Sequence, residues 1–312
     1  GRVGRYFKAK ENFSIISNDM EAYSYALINH YIKNHTDIEI QFWLDKLNNL
    51  EGIDTGFIYN HYSSGGKFSE VVSKDKNGQP IVINRQYFSI ENAKIIDEAR
   101  ESIEQWLNNN EINEPQYRYL LASILEASDK VANTASVYGA FLKKIKKTAE
   151  KRIHFTKLPY EKTLNNHQTY NEDANELIKK ISGTVLYLDP PYNHRQYGAN
   201  YHVLNTIAKY DDPEVRGVTG MRDYIASDWC KKKVVRSTFE QMIADADFKY
   251  ILFSYNSESL MTPEEIATIM SKYGDYSFIE QVYNKFKADS NSENRNYKTD
   301  KVIEYVHILK KV

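Results

Sequence analysis

Strand-like apolar runs and helix-like periods alternate at both ends of the chain. A short helical period opens the sequence, an apolar run follows at residues 13–17, and a helix passes through Tyr25 and Tyr31. The same alternation resumes with a helix over residues 171–180 and an apolar strand at residues 184–188. Further strands are predicted at residues 250–255, 278–283 and 302–309. The last two resemble a closing hairpin, so the pattern predicts an α/β protein built on a sheet.

The middle of the chain has a different pattern. Residues 55–90 are rich in glycine and polar residues, which predicts loop or a small hairpin. A helical period begins at residue 90, with Ser89 as its predicted N-cap. A second helix is predicted over residues 114–129 and a third from about Ser136. This stretch is therefore mostly helical.

These patterns divide the chain into an α/β domain and an insertion. We expect residues 1–50 and 166–312 to form the α/β domain, and residues 51–165 to form an inserted, mainly helical lobe. With 312 residues, 41% of them hydrophobic, the chain is long enough to bury a core and a second, smaller lobe. The first residues look like the interior of a longer sequence, so we expect the natural start to lie upstream.

Charge and cysteine content narrow the class of protein. The formal net charge is −1, so any affinity for nucleic acid must come from local patches. Residues 141–162 form such a patch, with eight Lys or Arg against two Glu, and residues 231–236 form a second one. Each is either a phosphate contact or a solvated face. Cys230 is the only cysteine and no apolar run approaches a membrane span, which favours a reducing, cytoplasmic compartment without membrane partners.

A short polar motif follows the apolar strand at residues 184–188. Asp189, Pro190, Pro191 and Tyr192 stand where open α/β sheets place their ligands. An aspartate and a proline carbonyl can accept hydrogen bonds from an aromatic amine, and a tyrosine can stack on its ring. This combination suits an amine whose lone pair is delocalised and must be made nucleophilic. The alternative is an ordinary strand-terminating turn.

The motif and its position resemble those of adenine-specific DNA methyltransferases of the alpha group, particularly those of type II restriction-modification systems. The resemblance covers nearly the whole chain. It implies that Asp189, Pro190, Pro191 and Tyr192 are catalytic. An aspartate as the first residue of such a two-proline motif favours adenine, whereas an asparagine at that position is common in enzymes that act on other amines.

The resemblance also implies a site for S-adenosyl-L-methionine. Gly1 and Gly4 match the tail of the family's glycine-rich loop, which makes Gly1 a cofactor contact and leaves Gly4 open to a helix-packing role. Asp19 matches the acid that binds the cofactor ribose, unless it caps a helix. Asp173 matches the contact to the cofactor's adenine, unless it only favours a helix start. Asp189 is expected to contact the cofactor as well.

The family's fold and partners follow from the same resemblance. We expect a seven-stranded, Rossmann-like mixed sheet with helices on both faces, and a target-recognition role for the lobe at residues 51–165. The polar stretch at residues 289–299 corresponds to a hairpin that helps to hold the flipped base. Duplex DNA is the expected substrate, and a cognate restriction endonuclease a possible partner. The expected DNA contacts are Lys143, Lys144, Lys146, Lys147, Arg195 and Tyr197.

No metal is expected, since methyl transfer needs none and His194 and His202 have no further ligands at zinc spacing. Three alternatives stay open on sequence alone. The chain could be an RNA adenine methyltransferase, a non-catalytic nucleic-acid-binding protein on the same fold, or part of a longer modification protein.

Overall fold

A computed structural model gives the fold of the chain as two compact units. The first unit comprises Gly1–Asn171 and Gly198–Tyr224, and the second comprises Glu172–Tyr197 and Ile225–Val312. These bounds differ from those predicted for the two functional parts, and the functional division stays a prediction. The structure describes residues 1–10, 12–35, 39–66, 70–74, 76–284 and 301–312.

The helices and strands alternate along the described chain. The helices are α1 Arg2–Lys8, α2 Ala22–Tyr31, α3 Gln41–Asn48, α4 Phe57–Tyr62, α5 Ile90–Asn108, α6 Glu114–Val131, α7 Ala174–Leu177, α8 Tyr197–Asn200, α9 His202–Lys209, α10 Val235–Asp245 and α11 Pro263–Met270. The strands are β1 Ile16–Asn18, β2 Glu70–Lys74, β3 Pro80–Ile83, β4 Gln168–Tyr170, β5 Ser182–Leu188, β6 Val215–Arg216, β7 Met221–Arg222, β8 Asp247–Asn256, β9 Gly274–Asn284 and β10 Lys301–Lys311. None of these helices is long and apolar enough to cross a membrane.

The first unit is mainly helical. Its core lies around α5 and α6, whose apolar faces bury residues such as Ile96 and Leu120. Both helices begin where the sequence predicts, because Ser89 accepts a hydrogen bond from the Asn92 amide and Asn113 forms a capping box with Gln116. Strand β1 pairs in parallel with β4, and the hairpin predicted within residues 55–90 is formed by β2 and β3.

The second unit contains a mixed four-stranded sheet in the order β5-β8-β10-β9. Strands β5 and β8 run parallel, with Leu188 beside Phe253, and β10 runs antiparallel to both of its neighbours. The hairpin of β9 and β10 confirms the predicted closing pair. Helices α10 and α11 pack on the sheet through buried residues that include Phe239 and Ile266. A mixed α/β fold is therefore confirmed, and the largest sheet in the described residues has four strands rather than the seven expected.

One sequence prediction failed in the first unit, and several short elements there were not predicted. The third helix, expected from about Ser136, is wrong: residues 132–153 contain turns and irregular backbone but no helix. Side-chain amides take up backbone groups of this segment, so a helical pattern did not produce a helix. Helices α3 and α4 and strand β4 were not predicted, since short elements carry little periodicity. The polar stretch at residues 289–299 lies outside the described residues.

Buried Asp97 joins three parts of the first unit. Its carboxylate accepts hydrogen bonds from the Ile58 and Tyr59 amides, at 2.8 and 2.7 Å, and from the Tyr210 hydroxyl at 2.8 Å. The two amides lie in the first turn of α4, where donors lack helical partners. Burial raises the pKa of Asp97 to about 7, against the effect of these donors.

We expect Asp97→Ala to lower the free energy of unfolding at pH 8 by about 3 kcal/mol, because three donors lose a charged acceptor in the interior. Chemical denaturation monitored by circular dichroism measures the change. Glu101→Ala is the control, since the exposed Glu101 is only a distant second acceptor for Tyr210, at 3.4 Å. Equal effects of the two substitutions would contradict the role assigned to Asp97.

Candidate active site

The Asp189–Tyr192 motif lies at the carboxyl end of β5 in the second unit. Strand β5 pairs in parallel with β8 up to Leu188 and Phe253, so the residues that follow the two strands emerge at the same edge of the sheet. Two consecutive prolines end the strand, because proline lacks the amide proton that a ladder requires. The motif therefore lies at the carboxyl edge of the sheet, where open α/β sheets place their ligands, and its role there stays a prediction.

Asp189 presents an accessible carboxylate at this edge. No protein group among the described residues donates a hydrogen bond to its side chain, so both oxygens can accept one from a ligand. Partial burial raises the pKa of Asp189 above its usual value. Such a carboxylate accepts a proton more readily than an aspartate with the usual pKa does.

Glu304 is a second carboxyl close to Asp189. It lies in β10 directly opposite Asn256, the last residue of β8. Burial raises the pKa of Glu304, a hydrogen bond with the Asn256 side chain opposes this rise, and the negative charge of Asp189 adds to it. Sequence reasoning missed this residue. The available signal was an acidic residue inside the otherwise apolar stretch at residues 302–309.

Tyr192 is held through its backbone, and its ring is open. Its carbonyl accepts a hydrogen bond of 3.1 Å from the Leu260 amide, in the loop that follows β8. The Tyr192 side chain is 42% exposed. A fixed backbone with an accessible ring provides a flat stacking surface beside Asp189.

The segment after the motif is fixed at Gln196. The Gln196 side chain donates to the Ser227 carbonyl at 3.1 Å and accepts from the Ser227 amide at 2.8 Å. One residue earlier, the Arg195 amide donates to the Asn193 side chain at 2.9 Å. The side chains of Arg195 and Tyr197 are both exposed. Both side chains are therefore accessible to a ligand, and their contact with DNA stays a prediction.

Asp19 lies at the end of β1 in the first unit. Its carboxylate accepts hydrogen bonds from the Glu21 amide, at 2.9 Å, and from the Ser24 hydroxyl, where α2 begins. Asp19 lies just before α2 but does not cap it, because Glu21 is the N-cap and no side chain makes a capping bond there. Each carboxylate oxygen keeps a second lone pair, so the group can still accept a bond from a ribose hydroxyl. Burial raises the pKa of Asp19.

The two glycines at the start of the chain differ in their surroundings. Gly1 is exposed and precedes α1, where its carbonyl accepts from the Arg5 amide at 3.0 Å. A side chain at Gly4 would meet Ile32 at 3.1 Å and Ile15 at 3.4 Å. The helix-packing role of Gly4 is confirmed, and the cofactor contact of Gly1 stays a prediction.

Asp173 caps the short helix α7 in the second unit. One carboxylate oxygen, Oδ1, accepts from the Asn175 amide at 2.8 Å and from the Glu176 amide at 3.3 Å. The residue is exposed, and Oδ2 has no partner among the described residues. The capping bond is the alternative foreseen for this residue, while Oδ2 remains available to an adenine amine.

The four predicted DNA-binding lysines lie in an irregular segment of the first unit. Lys143, Lys144 and Lys147 are exposed, whereas the Lys146 ammonium donates to the Thr134 carbonyl at 2.9 Å. Lys146 therefore stabilises the segment itself, a role that its sequence position did not reveal.

His202, one of the two histidines that follow the motif, lies in the core of the first unit. His202 is buried and its Nε2 lies 3.0 Å from the Tyr138 carbonyl, which makes it part of the first unit's core. Within the part of the chain that the structure describes, no group of three His, Cys, Asp or Glu side chains could hold a metal ion.

The structure distributes the predicted site residues over both units. The second unit carries Asp173, Asp189, Pro190, Pro191, Tyr192, Arg195 and Tyr197. The first unit carries Gly1, Asp19 and the four lysines. Within the second unit, Asp189 follows β5 directly, and the Tyr192 carbonyl three residues later accepts a hydrogen bond from the loop after β8.

Comparison with known proteins identifies the family. The family model of the D12 class N6 adenine-specific DNA methyltransferases matches residues 1–269. The chain is 48% identical over 315 residues to the type II methyltransferase M.NlaIII of Neisseria lactamica, covering all of this chain and 88% of that protein.

More distant relatives extend the comparison. The type II methyltransferase M.FokI of Planomicrobium okeanokoites is 37% identical over 319 residues, covering all of this chain and 47% of the relative. The type II methyltransferase M.CviAII of Paramecium bursaria Chlorella virus 1 is 37% identical over 282 residues, covering 89% of this chain and 79% of the relative. No solved structure matches the chain significantly. The matched family model and these identities show that the chain belongs to the D12 class N6 adenine-specific DNA methyltransferases.

Proposed function

We propose that this protein transfers a methyl group from S-adenosylmethionine to the exocyclic amine of a flipped-out adenine at a specific site in duplex DNA. It would serve as the modification enzyme of a restriction-modification system, with a cognate endonuclease as its biological counterpart. The observation that carries the proposal is the exposed carboxylate of Asp189 at the carboxyl end of β5, followed three residues later by the exposed ring of Tyr192. The type II methyltransferases among the relatives support it.

The motif residues activate the amine. Asp189 and the Pro190 carbonyl accept the two amine hydrogens, which favours a pyramidal nitrogen whose lone pair is free to attack. Pro191 stiffens the turn that holds these acceptors, and Tyr192 stacks on the extruded base. A nitrogen–carbon bond forms as the sulfur–carbon bond of the donor breaks, and the amine loses one proton. Asp189 lies where it can accept that proton, and its raised pKa favours this.

The proposed cofactor contacts are Gly1, Asp19, Asp173 and Asp189. When bound, S-adenosylmethionine supplies an electrophilic methyl group on a sulfonium. The free acceptor positions on Asp19 and Asp173 fit its ribose hydroxyls and its adenine amine, respectively. The exposed Gly1 leaves room for the methionine part. No metal takes part in the proposed reaction.

The lobe at residues 51–165 is proposed to recognise the DNA sequence. The catalytic domain into which it is inserted is proposed to be Rossmann-like, with helices on both faces of its sheet. Arg195 and Tyr197 extend the catalytic turn with exposed charge and aromatic surface, which suits contacts to phosphate and bases. Lys143, Lys144 and Lys147 offer further phosphate contacts.

Transfer of labelled methyl from S-adenosylmethionine tests the proposal. Duplex DNA, RNA and protein are offered in parallel, and the products are digested for nucleoside analysis. We expect label on N6 of adenine in DNA. Label only in RNA would establish the RNA alternative. Binding of DNA without cofactor binding or transfer would establish the non-catalytic one.

The raised pKa of Asp189 predicts a pH dependence. Only the ionised carboxylate can accept a hydrogen bond from the amine and later take up its proton. The rate constant kcat should therefore fall as the pH drops through the pKa of Asp189. Because that pKa lies above the usual aspartate value, the fall should begin at a higher pH than an exposed aspartate would give. Single-turnover rates from about pH 4 to about pH 9 measure this fall, with Asp189→Asn as the comparison. An acid limb that persists in Asp189→Asn would assign the titration to another group.

A further inference from the structure

The irregular segment at residues 142–152 of the first unit combines concentrated charge with a fixed backbone; we name it the basic loop. It contains six basic residues and one acidic residue, Glu150. Cations this close repel one another, so an isolated segment of this composition would favour expanded conformations. Its ordered path therefore needs interactions that offset the repulsion.

Asn133 and Gln86 hold the first half of the basic loop. The buried Asn133 side chain donates to the Leu142 carbonyl at 3.0 Å and accepts from the Lys146 amide at 3.0 Å. The Gln86 side chain donates to the Leu142 and Lys143 carbonyls at 2.9 and 2.5 Å. Lys146 adds its own bond to the Thr134 carbonyl.

Asn92 holds the second half. Its buried side chain donates to the Ala149 and Lys151 carbonyls at 3.1 and 2.9 Å and accepts from the Ile153 amide at 2.8 Å. Arg152 is also fixed, since its guanidinium contacts Glu91 and the Leu50 carbonyl, each at 2.5 Å. Three amide side chains thus define the backbone from residue 142 to residue 153.

The fixed backbone leaves four lysines exposed: Lys143, Lys144, Lys147 and Lys151. No ion pair of these four side chains with an acid occurs in the described part of the chain. Fixing the backbone of a loop costs about 1–2 kcal/mol of conformational entropy per residue. Because the basic loop is already ordered in the folded protein, this cost does not reduce the free energy of ligand binding. A merely solvated charged face would gain nothing from this arrangement.

We propose that the basic loop is a preorganised binding surface for the backbone phosphates of duplex DNA. Lys143, Lys144, Lys147 and Lys151 make the contacts, and Gln86, Asn92 and Asn133 act as positioning residues. The inference rests on the proposed function for its ligand, and it replaces Lys146 by Lys151 in the contacting set.

The salt dependence of DNA binding tests the contacts. The variant Lys143→Gln/Lys144→Gln/Lys147→Gln is compared with Lys179→Gln/Lys180→Gln/Lys272→Gln, which removes equal charge from surface ion pairs of the second unit. Dissociation constants for a duplex oligonucleotide are measured over a range of salt concentrations. We expect the first variant to reduce the slope of log K against log salt by about one per lysine, and the control to leave it nearly unchanged. Equal slopes in the two variants would overturn the inference.

Gln86→Ala tests the positioning role without removing any charge. We expect DNA binding to weaken by about two- to tenfold, because the loop must then be ordered on binding, while the slope of log K against log salt stays the same, because no lysine is lost. An unchanged dissociation constant would overturn the positioning role. Binding data alone decide the inference, so an enzyme that binds DNA as expected but transfers no methyl would refute only the proposed function.

Discussion

Asp189→Ala should lower the rate of methyl transfer to DNA by about 10²–10⁴-fold while S-adenosylmethionine binding weakens far less, because three other proposed cofactor contacts remain. The substitution removes the accessible carboxylate that accepts the amine hydrogens and leaves the parallel pair of β5 and β8 in place. Single-turnover transfer measures the rate, and calorimetry measures cofactor affinity. Loss of binding in step with activity would contradict the catalytic assignment and leave Asp189 as a cofactor ligand.

Asp247→Asn provides a matched control for this experiment. Asp247 is also an exposed aspartate on the same pair of strands, but it lies beside Ser182, at the opposite end. We expect its replacement to change the transfer rate little. Asp189→Asn separates hydrogen bonding from charge. The amide keeps one acceptor oxygen but lacks the negative charge that stabilises the developing positive amine.

Tyr192→Ala should weaken productive DNA binding by about ten- to a hundredfold, because a stacked base contributes about 1–3 kcal/mol. The ring is 42% exposed and its backbone is held by Leu260, so truncation removes the stacking surface without releasing the turn. The effect should appear in the KM for DNA and in the fluorescence of 2-aminopurine placed at the target adenine, which reports base extrusion.

Two further variants separate stacking from other causes. Tyr192→Phe keeps the aromatic face and should retain most of the activity. Phe42→Ala removes another exposed aromatic ring, on α3, and should leave the KM for DNA unchanged. If Tyr192→Phe were as impaired as Tyr192→Ala, the hydroxyl rather than the ring would be the essential group.

Local chemistry explains which parts of the fold were predictable. Strands β5 and β8 are apolar runs, and α5 begins at Ser89 because a serine side chain can satisfy an amide of the first turn. The position of the Asp189–Tyr192 motif was equally clear, since an aspartate and two prolines directly after an apolar strand place it at the end of that strand. These features depend on neighbours in sequence, so sequence alone was sufficient to find them.

The failed helix after Ser136 shows the limit of that reasoning. Its helical pattern was overridden by Asn133, Gln86 and Asn92, and the last two of these approach from more than forty residues away in sequence. In the backbone path that these contacts define, the neighbouring lysines are exposed, whereas the Lys146 ammonium donates to the Thr134 carbonyl. No local pattern distinguishes Lys146 from Lys147.

The sequence by itself determined the family, the methyl-acceptor chemistry and the position of Asp189–Tyr192, because the motif is contiguous and its strand is apolar. Only the tertiary structure decided that Glu304 lies close to Asp189, that Asp19 and Asp173 use part of their hydrogen-bonding capacity on helix starts, and that the basic loop is held rigid. The physical reason is the same in each case. These properties depend on strand pairing and on side-chain contacts between distant residues, which no periodicity along the chain records.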